Sequence, residues 1–369
     1  MQQHPSPDLG RDAPPVRPVL DRVAPSLSPT EVDQFWRDGY FGPVDGSVPH
    51  DLLDRAAARL DTVIESRARH PLYGRFSVRD WHLVEADILT LFTDPAVVGR
   101  LVSLLGDDLV LWRTKVFRKA ASEGQLGWHQ EWGAFNGEEI GNDVPGLQPA
   151  SAAVGGLWNL TVWIALDDVE ADRGPIRFAR RSHRRRFPVE MAAMSKSEFW
   201  HDPFLAIDDP QTLVQRARDC SLVLDIDTSH AFDGVDTEHL TLAEARTRIL
   251  DALSREVGAV TLDFDEAQQD IVSMPMRKGQ FVIFTERTMH GSSGNRSDRR
   301  RLAINGRVTR ADTVVYPGRL RGEVIDGSNL NISHHTCVLL CGRDTSHGRN
   351  VFGRPNTESP LDQNAHSRS

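Results

Sequence analysis

A histidine and a glutamate two positions apart, His129 and Glu131, are the strongest local signal for chemistry in this sequence. On a β-strand, side chains two apart share a face, so both can point into a barrel while Gln130 points away. His290 comes much later, after the apolar run GQFVIFTE, and only a folded barrel could bring it near. Two imidazoles and one carboxylate on one side of a metal ion form the facial triad of non-haem Fe(II) oxygenases.

Two arginines that follow His290 could bind an anionic co-substrate. Arg301 and Arg307 are six positions apart, so an unbroken strand places them on the same face. One of them could hold the distal carboxylate of an oxoacid through two hydrogen bonds. The other is then expected to be a surface or structural ion-pair residue. The tripeptide His-x-Glu alone is weak evidence for a metal site, because it is common by chance and a strand histidine is more often structural. The later histidine and the two arginines strengthen the metal-site interpretation.

Around these residues the sequence resembles the phytanoyl-CoA dioxygenase superfamily. Within it, the resemblance is to the syringomycin-type non-haem iron enzymes, many of which are halogenases acting on amino acids tethered to carrier proteins. It covers roughly residues 30–350 outside an insertion. It rests on five segments: EVDQFWRDGYFGP, KVFRKAASEGQLGWHQE, LTVWIALDDVEADRGPIRFARRSH, GQFVIFTERTMHGSSGNRSDRRRLAINGRV and VLLCGRDTSHGRN.

The resemblance implies a double-stranded β-helix that binds Fe(II) through His129, Glu131 and His290, with 2-oxoglutarate and O2 as co-substrates. Arg301 matches the spacing of the wider superfamily after the distal histidine, whereas Arg307 matches the halogenase-like branch and is slightly favoured as the 2-oxoglutarate clamp. Four more residues match positions that line the iron or co-substrate pocket in such enzymes: Trp163, Thr161, Asn136 and Ser292.

The reaction outcome depends on position 131. Halogenases of this type have Ala or Gly there, which leaves an iron coordination site for chloride, but this chain has a carboxylate. Hydroxylation of an unactivated C–H bond is therefore the expected reaction. By analogy, the substrate is a small polar metabolite, an amino acid that is free or bound to a carrier protein, in specialised (antibiotic) metabolism. Desaturation, epimerisation, cyclisation and halogenation are alternative outcomes, and a non-catalytic ligand-binding barrel is a further alternative.

Helical patterns dominate the first hundred residues. Ser28 and Glu31 form a predicted capping box before a short helix that ends at Gly39. Apolar spacing predicts two further helices, over 50–68 and 94–105. From Asp108 onward, β-branched and aromatic runs predict strands at 109–119, 157–166, 174–180, 279–286 and 300–309.

These strands do not alternate with helices, which favours a mainly β fold with helical additions, a jelly roll or cupin-like double-stranded β-helix. Residues 28–355 are the predicted dioxygenase domain, with a helical insertion at about 187–275 that covers the barrel mouth or forms an oligomer interface. Within it, a helix is predicted over 241–257, capped by Thr241 and Glu244 and stopped by Gly258. Residues 1–27 are predicted to be a disordered arm, because their composition offers little to bury, and 356–369 a flexible tail.

Composition excludes several classes of partner. The formal net charge is −9, which argues against binding to a nucleic-acid backbone. One basic run, Arg180 to Arg186, is either a solvated loop or a contact for an anion. No apolar run of about 18 residues could span a membrane, and no secretory signal is evident. Three cysteines without CxxC spacing suggest a reducing cytoplasm rather than a disulfide framework. The oligomeric state is left open.

Overall fold

Four helices lie along one side of the molecule. The computed structural model describes residues 16–131, 146–150, 156–193, 204, 207–218, 228–253, 257–326 and 330–353. The predicted capping box forms at Ser28 and Glu31, and Gly39 ends the first helix with a positive φ of 86°. The four helices are α1 (Pro29–Asp38), α2 (His50–Glu65), α3 (Ala86–Phe92) and α4 (Pro95–Leu105). The helix α3 was not predicted, and α2 ends three residues before the predicted limit.

A six-stranded antiparallel sheet forms the scaffold. Its strands are β1 (Tyr40–Asp45), β2 (Leu109–Lys119), β5 (Asn159–Ala165), β10 (Gln280–Thr285), β12 (Arg301–Arg310) and β14 (Val338–Cys341), in the order β1-β10-β5-β12-β2-β14. Alternation along β12 explains its packing, because Leu302 and Ile304 join the apolar core shared with the helices, whereas Ala303 packs on the opposite face. Arg301 and Arg307 share the face of Ala303, as the sequence predicted.

A second, four-stranded antiparallel sheet packs against the face of the first sheet that carries Ala303, which is the inner face of the barrel. It consists of β3 (Leu126–His129), β6 (Ile176–Ala179), β9 (Ile271–Met274) and β11 (His290–Ser292), in the order β3-β11-β6-β9. Rings from the two sheets meet between them, since Phe178 and Phe284 lie 5.1 Å apart between centroids. The mainly β, jelly-roll fold predicted from the sequence is therefore confirmed.

The insertion carries its own small core. Strand β7 (Val189–Ala193) pairs with β8 (Val257–Thr261), and α5 (Pro210–Arg218) packs with α6 (Leu242–Leu253). The predicted Thr241 and Glu244 capping contacts form. Two predicted limits are wrong: α6 ends before 257 because Gly258 belongs to β8, and the insertion ends before 275 because β9 pairs with β6 in the second sheet.

Residues 16–27 do not form a disordered arm. The backbone amides of Val19 and Leu20 donate hydrogen bonds to the carbonyl oxygens of Leu339 and Leu340 in β14, both at 2.9 Å. Leu20 and Leu27 also pack against the helical core. The prediction of disorder over 1–27 is therefore wrong for residues 16–27. Leu20, Val23 and Leu27 together bury enough apolar surface to anchor this segment. Residues 1–15 and the predicted tail over 356–369 lie outside the described residues.

A last pair of short antiparallel strands consists of β4 (Leu147–Gln148) and β13 (Val314–Val315), whose Leu147 and Val315 pack in one apolar cluster with Trp112. In the described part of the chain, no single helix is long and apolar enough to cross a membrane, although α3 and α4, bent by 48°, together have that length and composition. The side chains of Ile88, Leu91 and Leu101 in these helices are buried in the core. Burial raises the pKa of the Cys337 thiol to about 12 and that of Cys341 to about 11, so both cysteines are protonated and unreactive.

Candidate iron and 2-oxoglutarate site

The fold brings His129 and His290 together. The last residue of β3 and the first of β11 are direct partners across the antiparallel pair, and the two ring centroids are 4.1 Å apart. They are distant in sequence, so this contact depends on the closure of the second sheet. The structure therefore places two of the three predicted metal ligands side by side.

Hydrogen bonds fix both imidazoles in the same tautomer. Nδ1 of His129 lies 3.0 Å from the Gly127 carbonyl oxygen, and Nδ1 of His290 lies 2.9 Å from that of Thr288. A carbonyl can only accept, so each Nδ1 carries the hydrogen and each Nε2 keeps its lone pair for a metal. Burial lowers the pKa of both histidines, that of His290 to about 3, so both are neutral near pH 7.

Glu131 lies directly after β3, held by a 2.9 Å hydrogen bond from its backbone N–H to the Glu286 carbonyl oxygen. Its Oε1 accepts a hydrogen bond from Arg307, while the buried Oε2 has no hydrogen-bond partner. Burial alone would raise the pKa of Glu131, but Arg307 and the two imidazoles outweigh it and hold the pKa below its ordinary value. In the ranges that the structure describes, no three His, Cys, Asp or Glu side chains form a metal-binding group, since this carboxylate contacts Arg307 instead.

Gln130 points away from the histidines, as expected from strand alternation. Its side-chain amide donates to the carbonyl oxygens of Ser182, Arg185 and Arg287, the shortest of these bonds being 2.6 Å. Its Oε1 accepts from the Phe187 backbone N–H at 3.0 Å. Both the nitrogen and the oxygen of the Gln130 side-chain amide are therefore hydrogen-bonded. These bonds hold the backbone between the two predicted ligands in place.

Arg301 is a buried cation that faces a ring rather than a carboxylate. It is 3% exposed, and its guanidinium lies 5.5 Å from the centroid of Trp163. Within the described ranges it has no ion pair, and its Nε has no hydrogen-bond partner. Burial lowers the pKa of Arg301 to about 10, so it stays charged at neutral pH.

A second buried cation, Lys119, lies directly opposite Arg301 on β2. It is 5% exposed, and its Nζ donates to the carbonyl oxygens of Gly124 and Ser293, the latter at 3.1 Å. Burial and the neighbouring Arg301 lower the pKa of Lys119 to about 8. Like charges that face each other across a sheet are unfavourable, so the pair is suited to an anion between them.

Several buried polar atoms on the inner face lack a partner in the described part of the chain. They are Thr161 Oγ1, Ser292 Oγ, Asn305 Oδ1 and Glu131 Oε2. Buried polar atoms are ordinarily hydrogen-bonded, so a group of orphans in one interior indicates a polar ligand. Together with two neutral imidazoles and one carboxylate, these atoms fit an Fe(II) ion and an oxoacid. Of the predicted pocket residues, Asn136 lies outside the described residues.

Sequence reasoning missed two inward polar residues, Lys119 and Asn305. Their signal was available, because Asn305 lies between Arg301 and Arg307 in the same strand phase, and Lys119 ends the predicted strand 109–119. What the sequence did not supply was the register that sets Lys119 against Arg301 and Asn305 against Trp163.

A model of one protein family matches most of the chain. The family is described as phytanoyl-CoA dioxygenase (PhyH), and the match covers residues 35–303. This chain belongs to the phytanoyl-CoA dioxygenase family. No curated protein sequence matches it. The predicted cofactors, Fe(II), 2-oxoglutarate and O2, are those of this family.

Solved structures share the fold across nearly the whole chain. CytC3 with Fe(II) and alpha-ketoglutarate is 20% identical, with a TM-score of 0.57, over 90% of this chain and 94% of that one. The apo form of ThoJ, a non-heme monooxygenase, is 21% identical, with a TM-score of 0.54, over 91% and 92%. EctD from S. alaskensis, also in its apo form, is 16% identical, with a TM-score of 0.50, over 92% and 99%. At these identities the likeness concerns the fold.

Proposed function

We propose that this family member is an Fe(II)- and 2-oxoglutarate-dependent hydroxylase whose metal is held by His129, Glu131 and His290. The observation that carries the proposal is the cross-strand pairing of two neutral histidines, both with the proton on Nδ1, and a nearby carboxylate with one unpartnered oxygen among the described residues. When bound, Fe(II) with 2-oxoglutarate and O2 supplies the oxidation of a C–H bond, and 2-oxoglutarate becomes succinate and CO2. The remaining tasks belong to the protein: holding both groups and excluding water.

Glu131 has to change its side-chain position to bind a metal together with both histidines, because no three-residue metal-binding group forms among the described residues. Its carboxylate is already charged, because the pKa is held below its ordinary value, so no proton has to be removed first. Its Oε2, which has no hydrogen-bond partner among the described residues, is the oxygen proposed to bind the metal, while Oε1 accepts from Arg307.

Arg301 is our proposed clamp for the distal carboxylate of 2-oxoglutarate. The sequence slightly favoured Arg307, but Arg307 pairs with Glu131, whereas Arg301 is buried opposite a second cation and contacts no carboxylate of the described chain. A guanidinium binds a carboxylate through two parallel hydrogen bonds, and burial strengthens them. Trp163, which lies under Arg301, together with Thr161 and Ser292 forms the proposed lining of this pocket.

Hydroxylation is the proposed outcome because position 131 holds a carboxylate rather than the small residue of the halogenases. We propose a small polar metabolite as substrate, an amino acid in specialised metabolism, either free or bound to a carrier protein. The buried cysteines suit a cytoplasmic enzyme. Desaturation, epimerisation, cyclisation or halogenation would use the same bound groups and would give a product of different mass.

The direct test is anaerobic loading with Fe(II) and 2-oxoglutarate, followed by exposure to O2 with a panel of amino acids and related metabolites. Succinate should form in step with a product that gains one oxygen atom. A His290→Ala protein serves as the control and should form neither. Failure of the wild-type protein to bind Fe(II) and 2-oxoglutarate would refute the proposed function, and coupled succinate formation with another mass change would correct only the reaction type.

A further inference from the structure

A second pair of cations lies at the other end of the inner face. Arg113 on β2, which is half-buried, is the direct cross-strand partner of the buried Arg307 on β12. Two cations in this position oppose each other unless anions lie among them. Glu131 is one such anion, and it is the proposed metal ligand.

Arg113 is only partly engaged by the protein. Its Nη2 donates to the Tyr316 hydroxyl at 2.6 Å and lies 3.4 Å from Asp326 Oδ2. The same Asp326 oxygen accepts a shorter bond of 2.9 Å from Arg79. Arg113 Nε is buried without a hydrogen-bond partner in the described part of the chain. A buried donor of this guanidinium is therefore left for a ligand.

Tyr316 offers a second donor at the same place. Its hydroxyl oxygen accepts from Arg113, and its ring lies 5.7 Å from the Arg113 guanidinium. Burial raises the pKa of Tyr316 to about 12, so the hydroxyl keeps its proton at neutral pH. Among the described residues no acceptor for that proton is present. The hydroxyl can therefore donate to an oxygen placed beside Arg113.

This anion site is separate from the proposed 2-oxoglutarate clamp. Arg301 and Arg307 are six positions apart on β12, which corresponds to roughly 20 Å of strand. Arg301 extends toward Trp163, the partner of Asn305, whereas Arg307 reaches Glu131 beside the histidines. Glu131, one of the proposed metal ligands, thus contacts the Arg307 and Arg113 end of the face, so a substrate bound there lies beside the proposed metal site.

We propose that Arg113 and Tyr316, beside Arg307, bind a free carboxylate of the primary substrate. This inference rests on the proposed function and specifies its substrate class as a small, unesterified carboxylic acid. An amino acid carried as a thioester has lost its α-carboxylate, because that carboxyl carbon is bonded to sulfur. Of the two substrate forms left open by the sequence, the structure therefore favours the free acid.

The test uses propionate and its neutral analogue propionamide as probes. The full-length protein is loaded with Mn(II), which accepts the same nitrogen and oxygen ligands as Fe(II), and saturated with 2-oxoglutarate. Mn(II) accelerates nuclear relaxation of molecules bound close to it, so proton relaxation reports binding near the metal. We expect propionate to bind about 10- to 100-fold more tightly than propionamide, the range for hydrogen bonds to a charged group.

Arg113→Gln should remove this preference without changing the affinity for Mn(II) or 2-oxoglutarate. Arg310→Gln is the matched control, because Arg310 is on β12 but pairs with Asp312 and is partly exposed, and it should behave like the wild type. Tyr316→Phe should weaken propionate binding less than Arg113→Gln does. It also provides a second variant if Arg113→Gln fails to fold.

The possible results distinguish failure of the carboxylate site from failure of the proposed function. Equal binding of acid and amide, retention of propionate binding in Arg113→Gln, or no propionate binding to protein that holds Mn(II) and 2-oxoglutarate overturns the carboxylate site alone. A wild-type protein that binds neither Mn(II) nor 2-oxoglutarate overturns the proposed function and this inference with it.

Discussion

The two ends of the inner face of β12 hold the same kind of charge pair in different surroundings. At one end, Arg301 faces Lys119 and contacts no carboxylate of the described chain. At the other end, Arg307 faces Arg113, and Glu131 and Asp326 supply negative charge. The first pair is arranged for an anion from outside the protein. The second is balanced by Asp326 and by Glu131, the third proposed metal ligand.

Loss of one of the two paired histidines should have the largest effect, because the imidazoles supply two of the three proposed metal ligands. His290→Ala is expected to lower Fe(II) affinity by more than about 100-fold, since even outer contacts of a metal site are worth about 10- to 100-fold. Calorimetric titration with Fe(II) under anaerobic conditions measures this directly. Unchanged affinity would remove His290 from the site.

Glu131→Ala tests the residue shared between the metal and Arg307. Iron binding should weaken and hydroxylation should largely vanish, because one oxygen ligand is lost. The variant is also the place to look for chloride-dependent chlorination, by product mass with and without chloride. Full turnover in this variant would show that Glu131 serves only as the partner of Arg307.

Separate substitution of Arg301 and Arg307 tests the proposed difference in 2-oxoglutarate binding between the two ends of the inner face. Arg301→Gln should weaken 2-oxoglutarate binding by about 100-fold, since two charge-assisted hydrogen bonds are lost. Arg307→Gln, its matched control on the same strand face, should change that affinity by only a few-fold. Anaerobic titration of the metal-loaded protein with 2-oxoglutarate decides between them, and the reverse order would assign the clamp to Arg307.

Because of Lys119, we expect 2-oxoglutarate binding at the Arg301 end to depend on pH. Its pKa is lowered to about 8, so its positive charge is present below that pH and is lost as the pH rises through it. The KM for 2-oxoglutarate should therefore rise above about pH 8 in the wild type, while Arg301 remains charged. Lys119→Gln should show a few-fold higher KM at pH 7 and no such rise. A rise of equal size in both proteins would exclude Lys119.

The smallest expected effect concerns an unpartnered hydroxyl. Thr161→Val should stabilise the ligand-free protein by about 1 kcal/mol, because a buried polar group without a partner is removed, and should weaken 2-oxoglutarate binding a few-fold. The control is Thr309→Val, since the Thr309 hydroxyl donates to the Trp158 carbonyl oxygen and its loss should destabilise the protein. Thermal unfolding with and without 2-oxoglutarate separates the two.

The strands and the histidine pair could be predicted from the sequence, because β-branched runs set the limits of β2, β10 and β12 closely and the motif with Glu131 is local. The choice between Arg301 and Arg307 could not, since both share a strand face and differ only through contacts with Lys119 and Glu131. Arg113 was also out of reach. Its role depends on the pairing that sets Arg113 opposite Arg307, and alternation along β2 alone does not give the register between two strands.

The side chain of Gln130 also links the active centre to the surface. Because it bonds to the carbonyl oxygens of Ser182 and Arg185, the arginine-bearing turn outside the barrel and the backbone between the two proposed ligands move as one unit. A displacement of that turn therefore also displaces the backbone that carries His129 and Glu131, two of the proposed metal ligands.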